Sequence, residues 1–168
     1  MKTYIALLRA VNVGGTGKLP MADLRQMCSE LGFEGAKTYI QSGNVVFKSA
    51  ASIMTIKSKL EARLMQYAQK PIAVIIRNSI ELSEVLENNP FKECAPNRTL
   101  ISFIDDATPS LDGIKNQKAE EVSLGKRAIY VHYGDGMADS RLIIPAAKNG
   151  TARNINTITK ILEMAKSL

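Results

Sequence analysis

The stretch Lys37–Lys48, K-T-Y-I-Q-S-G-N-V-V-F-K, decides how the first half of this chain folds. It reads as two short strands, Lys37–Gln41 and Asn44–Lys48, joined by a tight turn at Ser42-Gly43. Upstream, Thr3–Arg9 is β-branched and apolar and reads as a strand, which Gly14, Gly15 and Gly17 then interrupt. Pro20 opens a helix where its missing N–H costs nothing, with Asp23 in the first turn. Met21, Leu24, Met27, Cys28 and Leu31 fall at helical spacing, and Gly32 ends the segment. Downstream, Ser52 caps a second helix to about Gln69, with Ile53, Ile56, Leu60 and Leu64 on one face. Pro71 stops it, and Ile72–Arg77 is a fourth strand. The order βαββαβ is that of the split βαβ or ferredoxin-like unit.

The second half reads as a looser version of the same order. Ser79–Asn88 is a connecting helix, Leu100–Ile104 a strand and Pro109–Glu121 a helix. Val122–Leu124 and Ala128–Tyr133 form a hairpin about Gly125-Lys126. Ser140–Lys148 reads as helical with Pro145 distorting it, and Thr151–Arg153 as extended. Asn154 caps a last helix through Lys166. The expected fold is α+β, with two ferredoxin-like subdomains, 1–77 and 78–168, in tandem and a C-terminal helix.

A chain of 168 residues buries roughly 70% of its unfolded surface and needs no staple. The apolar run Tyr4–Leu8 is closed by Arg9, too short for a membrane span or a signal-peptide core. Cys28 and Cys94 suggest neither a disulfide framework nor a zinc site, so a reduced, cytoplasmic setting is expected. The net charge of +6 favours anionic partners in general without choosing among nucleotides, phosphorylated metabolites and nucleic acid. A mildly basic soluble surface accounts for it equally well.

In a ferredoxin-like unit the strand order is 4-1-3-2, so the first strand ends where the second turns into the third. Arg9, Asn12, Gly14, Gly15 and Lys18 leave the sheet on that edge, and Gln41, Ser42, Gly43 and Asn44 turn there. Glycines expose backbone N–H groups, the helix start adds partial positive charge, and arginine offers a planar fork for carboxylate or phosphate. The competing explanation is loop architecture, since Asn and Gly serve tight turns for backbone reasons alone. A second cluster, Thr151–Thr157, sets Arg153, Asn154 and Asn156 at a helix start. Capping accounts for Asn154 but not for Arg153 and Asn156.

Several motifs nearly fit and fail. Gly17-Lys18 lacks the P-loop glycine, where Asn12 stands, and its hydroxyl residue, where Leu19 stands. Gly15-x-Gly17 is followed by Pro20 in place of the third glycine of a dinucleotide fingerprint. RNA-recognition modules stack bases on aromatic residues, and Tyr4 and Phe47 stand in different registers here. His132, the one histidine, lies in an apolar strand; Cys28 reads as core, and Cys94 has no basic partner. Asp105-Asp106, Asp135 and Asp139 read as turn and cap residues without metal-ligand spacing. No metal or cofactor is expected.

The pieces Leu8-Arg9-x-x-Asn12-Val13-Gly14-Gly15, Pro20-Met21, Thr38-Tyr39-Ile40-Gln41-Ser42-Gly43-Asn44-Val45, Asn89-Pro90-Phe91, Tyr133-x-x-Gly136-x-x-x-Ser140-x-Leu142 and Thr151-x-Arg153-Asn154-x-Asn156-Thr157 span nearly the whole chain. In these the chain resembles the domain-of-unknown-function family numbered 1697, found mostly in bacteria. The resemblance implies a cytoplasmic protein with two ferredoxin-like halves and supplies no activity. Relatives usually carry glycine where this chain has Ala10 and tryptophan where it has Ile155.

The leading expectation is binding of a small anionic ligand by Arg9, Asn12, Gly14, Gly15, Lys18, Ser42 and Asn44, joined by Arg153, Asn154 and Asn156. The alternative is a nucleic-acid-binding module acting through phosphate contacts. A third reading is an enzyme whose Arg/Asn groups stabilise an oxyanion. No membrane partner is expected. Both faces of the first sheet carry apolar residues, so the second half or a twin subunit must cover the face away from the helices.

Overall fold

Strand β1 (Lys2–Leu8) is the hub of the first sheet. The computed structural model describes residues 1–14 and 17–168, so Gly15, one of the ligand-binding candidates, lies outside the described residues. After β1 come α1 (Met21–Glu30), β2 (Glu34–Thr38), β3 (Asn44–Ser49), α2 (Ile53–Ala68) and β4 (Val74–Asn78). These strands lie in the order β2-β3-β1-β4, every neighbour antiparallel. The register pairs Leu7 with Asn44, which brings the end of β1 to the start of β3.

Local chemistry explains the boundaries. The helix α1 ends in a Schellman arrangement, with Phe33 N–H bonded to Cys28 O at 2.9 Å, Gly32 N–H to Ser29 O at 3.0 Å, and Gly32 at φ +81°. Ser52 Oγ accepts from Thr55 N–H at 3.2 Å to start α2. Leu24, Cys28, Ile56, Leu60 and Leu64 are wholly buried with Ala6, Leu8, Val45 and Phe47 of the sheet. Phe33 stacks on Phe47 at 4.5 Å. The opposite face, with Ile5, Leu7, Val46, Ile75 and Arg77, is equally buried.

The second strand differs from expectation. It runs over Glu34–Thr38 with a bulge between Glu34 and Lys37, and Tyr39–Gly43 forms the turn. Tyr39 N–H bonds Asn44 O at 3.1 Å, which closes a longer connection than the two-residue turn read from Ser42-Gly43.

The rest comprises α3 (Ser79–Glu87), β5 (Thr99–Phe103), β6 (Glu121–Gly125), β7 (Ala128–His132), β8 (Thr151–Asn154) and α4 (Ile155–Lys166). The second sheet has the order β6-β7-β5-β8. The chain divides into two compact units, Met1–Leu82 with Lys160–Leu168, and Ser83–Thr159. The fold is α+β with two four-stranded antiparallel sheets.

Two expected helices are absent. Pro109–Glu121 holds no helix because Gly113 and Asn116 both sit at positive φ, +78° and +59°, and Leu111 and Ile114 are its only large apolar side chains besides Pro109. Ser140–Lys148 holds only a 3-10 turn at Pro145–Ala147, and Ile143 spends its backbone groups on Lys115 across the way.

Ala10 stands at φ +53°, a region that favours glycine. The left-handed region costs an alanine about 1–2 kcal/mol, against about 0.4–1 kcal/mol of extra chain entropy for glycine. Ala10→Gly should therefore stabilise the protein by roughly 0.5 kcal/mol or more by those terms, read as a higher midpoint in urea with an unchanged slope.

Candidate functional site

After β1 the chain passes through left-handed geometry at Ala10, Asn12 and Gly14, φ +53°, +56° and +50°. These reversals carry the loop back across the sheet edge, and Asn12 ties it to the turn. Its Nδ2 donates to Leu19 O at 2.9 Å and to Gln41 O at 2.7 Å, and its Oδ1 accepts from Leu19 N–H at 2.7 Å. Gly43 O accepts from Leu8 N–H at 2.8 Å on the other side of the turn. The loop after β1 and the turn before β3 thus meet, and Asn12 joins them.

Beside that tie lies an open hollow of about 550 Å³, lined by Asn12, Gly14, Gly17, Lys18 and Gln41, with Pro20 and Met21. Lys18 is exposed, and Pro20 precedes the first turn of α1, so cationic and dipolar groups share one wall. Ile40 stands at φ +50° and is 49% exposed, an uncommon state for a β-branched residue and a cost of roughly 1–3 kcal/mol. Val13, 51% exposed, is a second exposed apolar side chain in these two segments.

Other candidates serve different ends. Asn44 is 1% exposed, and its Nδ2 donates to Tyr39 O and Ser42 Oγ, both at 2.9 Å. Its amide is sealed inside the turn, so Asn44 shapes the edge and does not face solvent. Ser42 lends its oxygen to the same bond. Arg9 is half-buried, with its backbone N–H on Ala73 O at 3.0 Å, and it does not line the hollow. Gln41, Gly17 and Met21 do line it. Gln41 lies in the Ser42-Gly43 turn region and Gly17 in the glycine-rich stretch, but nothing in their spacing singled them out.

In the second unit Arg153 is 7% exposed; its Nη1 donates to Thr151 Oγ1 at 2.6 Å and Ala152 O at 2.9 Å. Burial brings its guanidinium down to about 10. Asn154 Oδ1 accepts from Thr157 N–H at 2.8 Å and caps α4, whereas Asn156 is exposed. Arg153 and Asn156 therefore do not present one surface.

Catalytic groups stay apart. Thr99 Oγ1 lies 3.2 Å from Ala95 O and 3.0 Å from His132 Nδ1, which ties the histidine to β5. Burial pushes the Cys28 thiol up to about 12, which leaves it a packing residue. Arg98 pairs with Asp135, and Arg127 with Asp105 at 3.2 Å. Among the described residues no three His, Cys, Asp or Glu side chains gather as metal ligands, and no helix is long and apolar enough to cross a membrane.

The family model described as "Protein of unknown function (DUF1697)" matches residues 1–130, the span that holds the Asn12 tie and the hollow. The chain belongs to the DUF1697 family. Among solved structures this DUF1697 protein is similar to the conserved bacterial protein SP0830 from Streptococcus pneumoniae. The two are 27% identical with a TM-score of 0.76, over 98% of each chain. No curated protein matches the chain.

Proposed function

We propose that this DUF1697 protein binds a small anionic, phosphate- or carboxylate-bearing ligand in the hollow beside the Asn12 tie. The observation that carries the reading is the joining of two loops by one carboxamide at the wall of a hollow that also holds Lys18. A cavity of about 550 Å³ falls within the usual range for small-molecule sites. Lys18 supplies a mobile charge, Asn12 a fixed backbone frame, and Gly14 and Gly17 close approach to the main chain. Arg9 stands at the same edge of β1 and joins the reading as a long-range charge.

The wider reading goes with it. Two versions of one split βαβ plan stand in tandem, the first with its helices and the second with irregular crossovers. Two free thiols, Cys28 and Cys94, support a reducing cytoplasmic setting.

Calorimetric titration with inorganic phosphate, nucleotides, phosphosugars and organic acids tests the site. One class should bind, and Lys18→Ala should weaken it roughly ten-fold, the worth of one charge-assisted bond. Affinity untouched by Lys18→Ala, or no binding at millimolar ligand, removes the reading. Retention on a polyanion column with steep salt dependence would favour nucleic acid instead.

A further inference from the structure

The first unit spends helices α1 and α2 on its two long connections; in the second, the corresponding stretches 104–120 and 133–150 hold no α-helix. Long connections without regular structure are uncommon in compact domains and are usually functional. These two are firmly built. Lys115 and Ile143 exchange both backbone hydrogen bonds at 3.0 Å, and Leu111, Leu142 and Ile144 pack on Ile104, Ile129 and Val131.

Between the crossovers lies a hollow of about 240 Å³, lined by Lys118, Glu120, Tyr133, Asp139, Ser140 and Arg141 among others. Glu120 is 8% exposed. Its Oε1 accepts from Lys118 N–H at 2.8 Å and its Oε2 from the Ser140 hydroxyl at 2.7 Å. The Ser140 bond first, then the backbone N–H groups, hold its carboxyl below the usual range, with a smaller contribution from the Lys118 charge. Glu120 is thus an ionised, nearly buried carboxylate, and among the described residues no cationic side chain forms an ion pair with it. Buried charges are ordinarily paired, and each of its oxygens retains acceptor capacity.

The rim has the opposite character in part. Arg141 is exposed and makes no ion pair among the described residues, and Lys118 is exposed beside it in the lining. Burial, with the Glu120 charge, raises the Tyr133 phenol, which keeps its O–H as a donor. A phosphate dianion would be repelled by Glu120 and Asp139, and a bare metal cation by Lys118 and Arg141.

We infer that this hollow binds a small zwitterion, its ammonium against Glu120 and its carboxylate against Arg141, the chemistry of a free α-amino acid. A hollow of about 240 Å³ gives room for a small amino acid.

Amide NMR of the full chain titrated with alanine, serine and glutamate tests it, with ethylamine and propionate as single-charge controls. At least one amino acid should shift the Gly136 and Ser140 amides with a Kd on the order of 1 mM. Each control should bind roughly ten-fold more weakly, and Arg141→Ala should cost a similar factor. Arg141 is exposed, so the variant should keep the wild-type spectrum elsewhere. No shift at any of the three amino acids, a control as tight as its zwitterion, or an Arg141→Ala variant of unaltered affinity overturns the inference.

Discussion

Replacing Gly43 by alanine should lower stability by about 2–5 kcal/mol, among the larger effects of any single methyl added to this chain. Gly43 stands at φ +85°, where a side chain costs about 1–2 kcal/mol. A Cβ there would lie 2.6 Å from Val11 Cγ2 and 2.8 Å from Leu8 Cβ. Leu8 and Val11 are buried, so neither can swing away as a surface side chain would. Overpacking of this kind adds roughly 1–3 kcal/mol. Urea denaturation followed by circular dichroism should show the loss as a lower midpoint. A change under about 0.5 kcal/mol, the range of an ordinary surface substitution, would mean that the turn moves off β1 at no cost.

The second large effect belongs to Asn12. Asn12→Ala removes both donated bonds and the acceptor of Leu19 N–H at once. Leu19 is 3% exposed, so its N–H would be left without a partner, at about 1–3 kcal/mol. Alanine also fits φ +56° less readily than asparagine. Stability should fall by about 2–3 kcal/mol by these terms, and ligand affinity in the hollow should fall with it. Asn12→Asp separates the two roles. The carboxylate still accepts from Leu19 N–H but repels Leu19 O and Gln41 O, so the loop should part from the turn while the Leu19 amide stays satisfied. An Asn12→Asp variant with wild-type affinity would show that the tie does not shape the hollow.

The two effects rest on different physics. Gly43 is a matter of space, because the backbone of the turn lies on the side chains that end β1. Asn12 is a matter of satisfying polar groups, since one carboxamide meets three backbone groups from two separate segments. Both act at the edge where β1 stops and β3 starts, so either change should disturb the neighbouring turn at Asn44. Ala10→Gly, by contrast, relieves strain in the same loop without touching these contacts.

Much of the first unit was legible in the residues themselves. Leu24 and Cys28, and Ile56, Leu60 and Leu64, repeat at helical spacing, and each is buried where that spacing points it. Ser52 and Gly32 start and stop helices, respectively, for local reasons that act in any context. The apolar run at Thr3–Leu8 and the Asn44–Lys48 pattern needed no distant partner to read as strands. The strand order then followed from the βαββαβ sequence of elements, and with it the meeting of the two loops. In the second unit the same reasoning misled. Pro109–Glu121 carries few apolar residues, Ser140–Lys148 is broken by Pro145, and pairing between Lys115 and Ile143 took the place of helical bonds.

Sequence alone determined the order of elements in the first unit, the shared edge of the β1 loop and the β3 turn, and the cap at Asn154, because these follow from local patterns of residues. Only the tertiary structure decided which amides face outward. Asn12 and Asn44 are alike in sequence, yet one spans two loops beside a hollow and the other is sealed in a turn. The pairing of crossovers around Glu120 was likewise invisible, since it joins Lys118 and Ser140 through contacts that exist only once the sheet has formed. Burial and long-range hydrogen bonding are properties of the folded surface, and no local pattern of residue types encodes them.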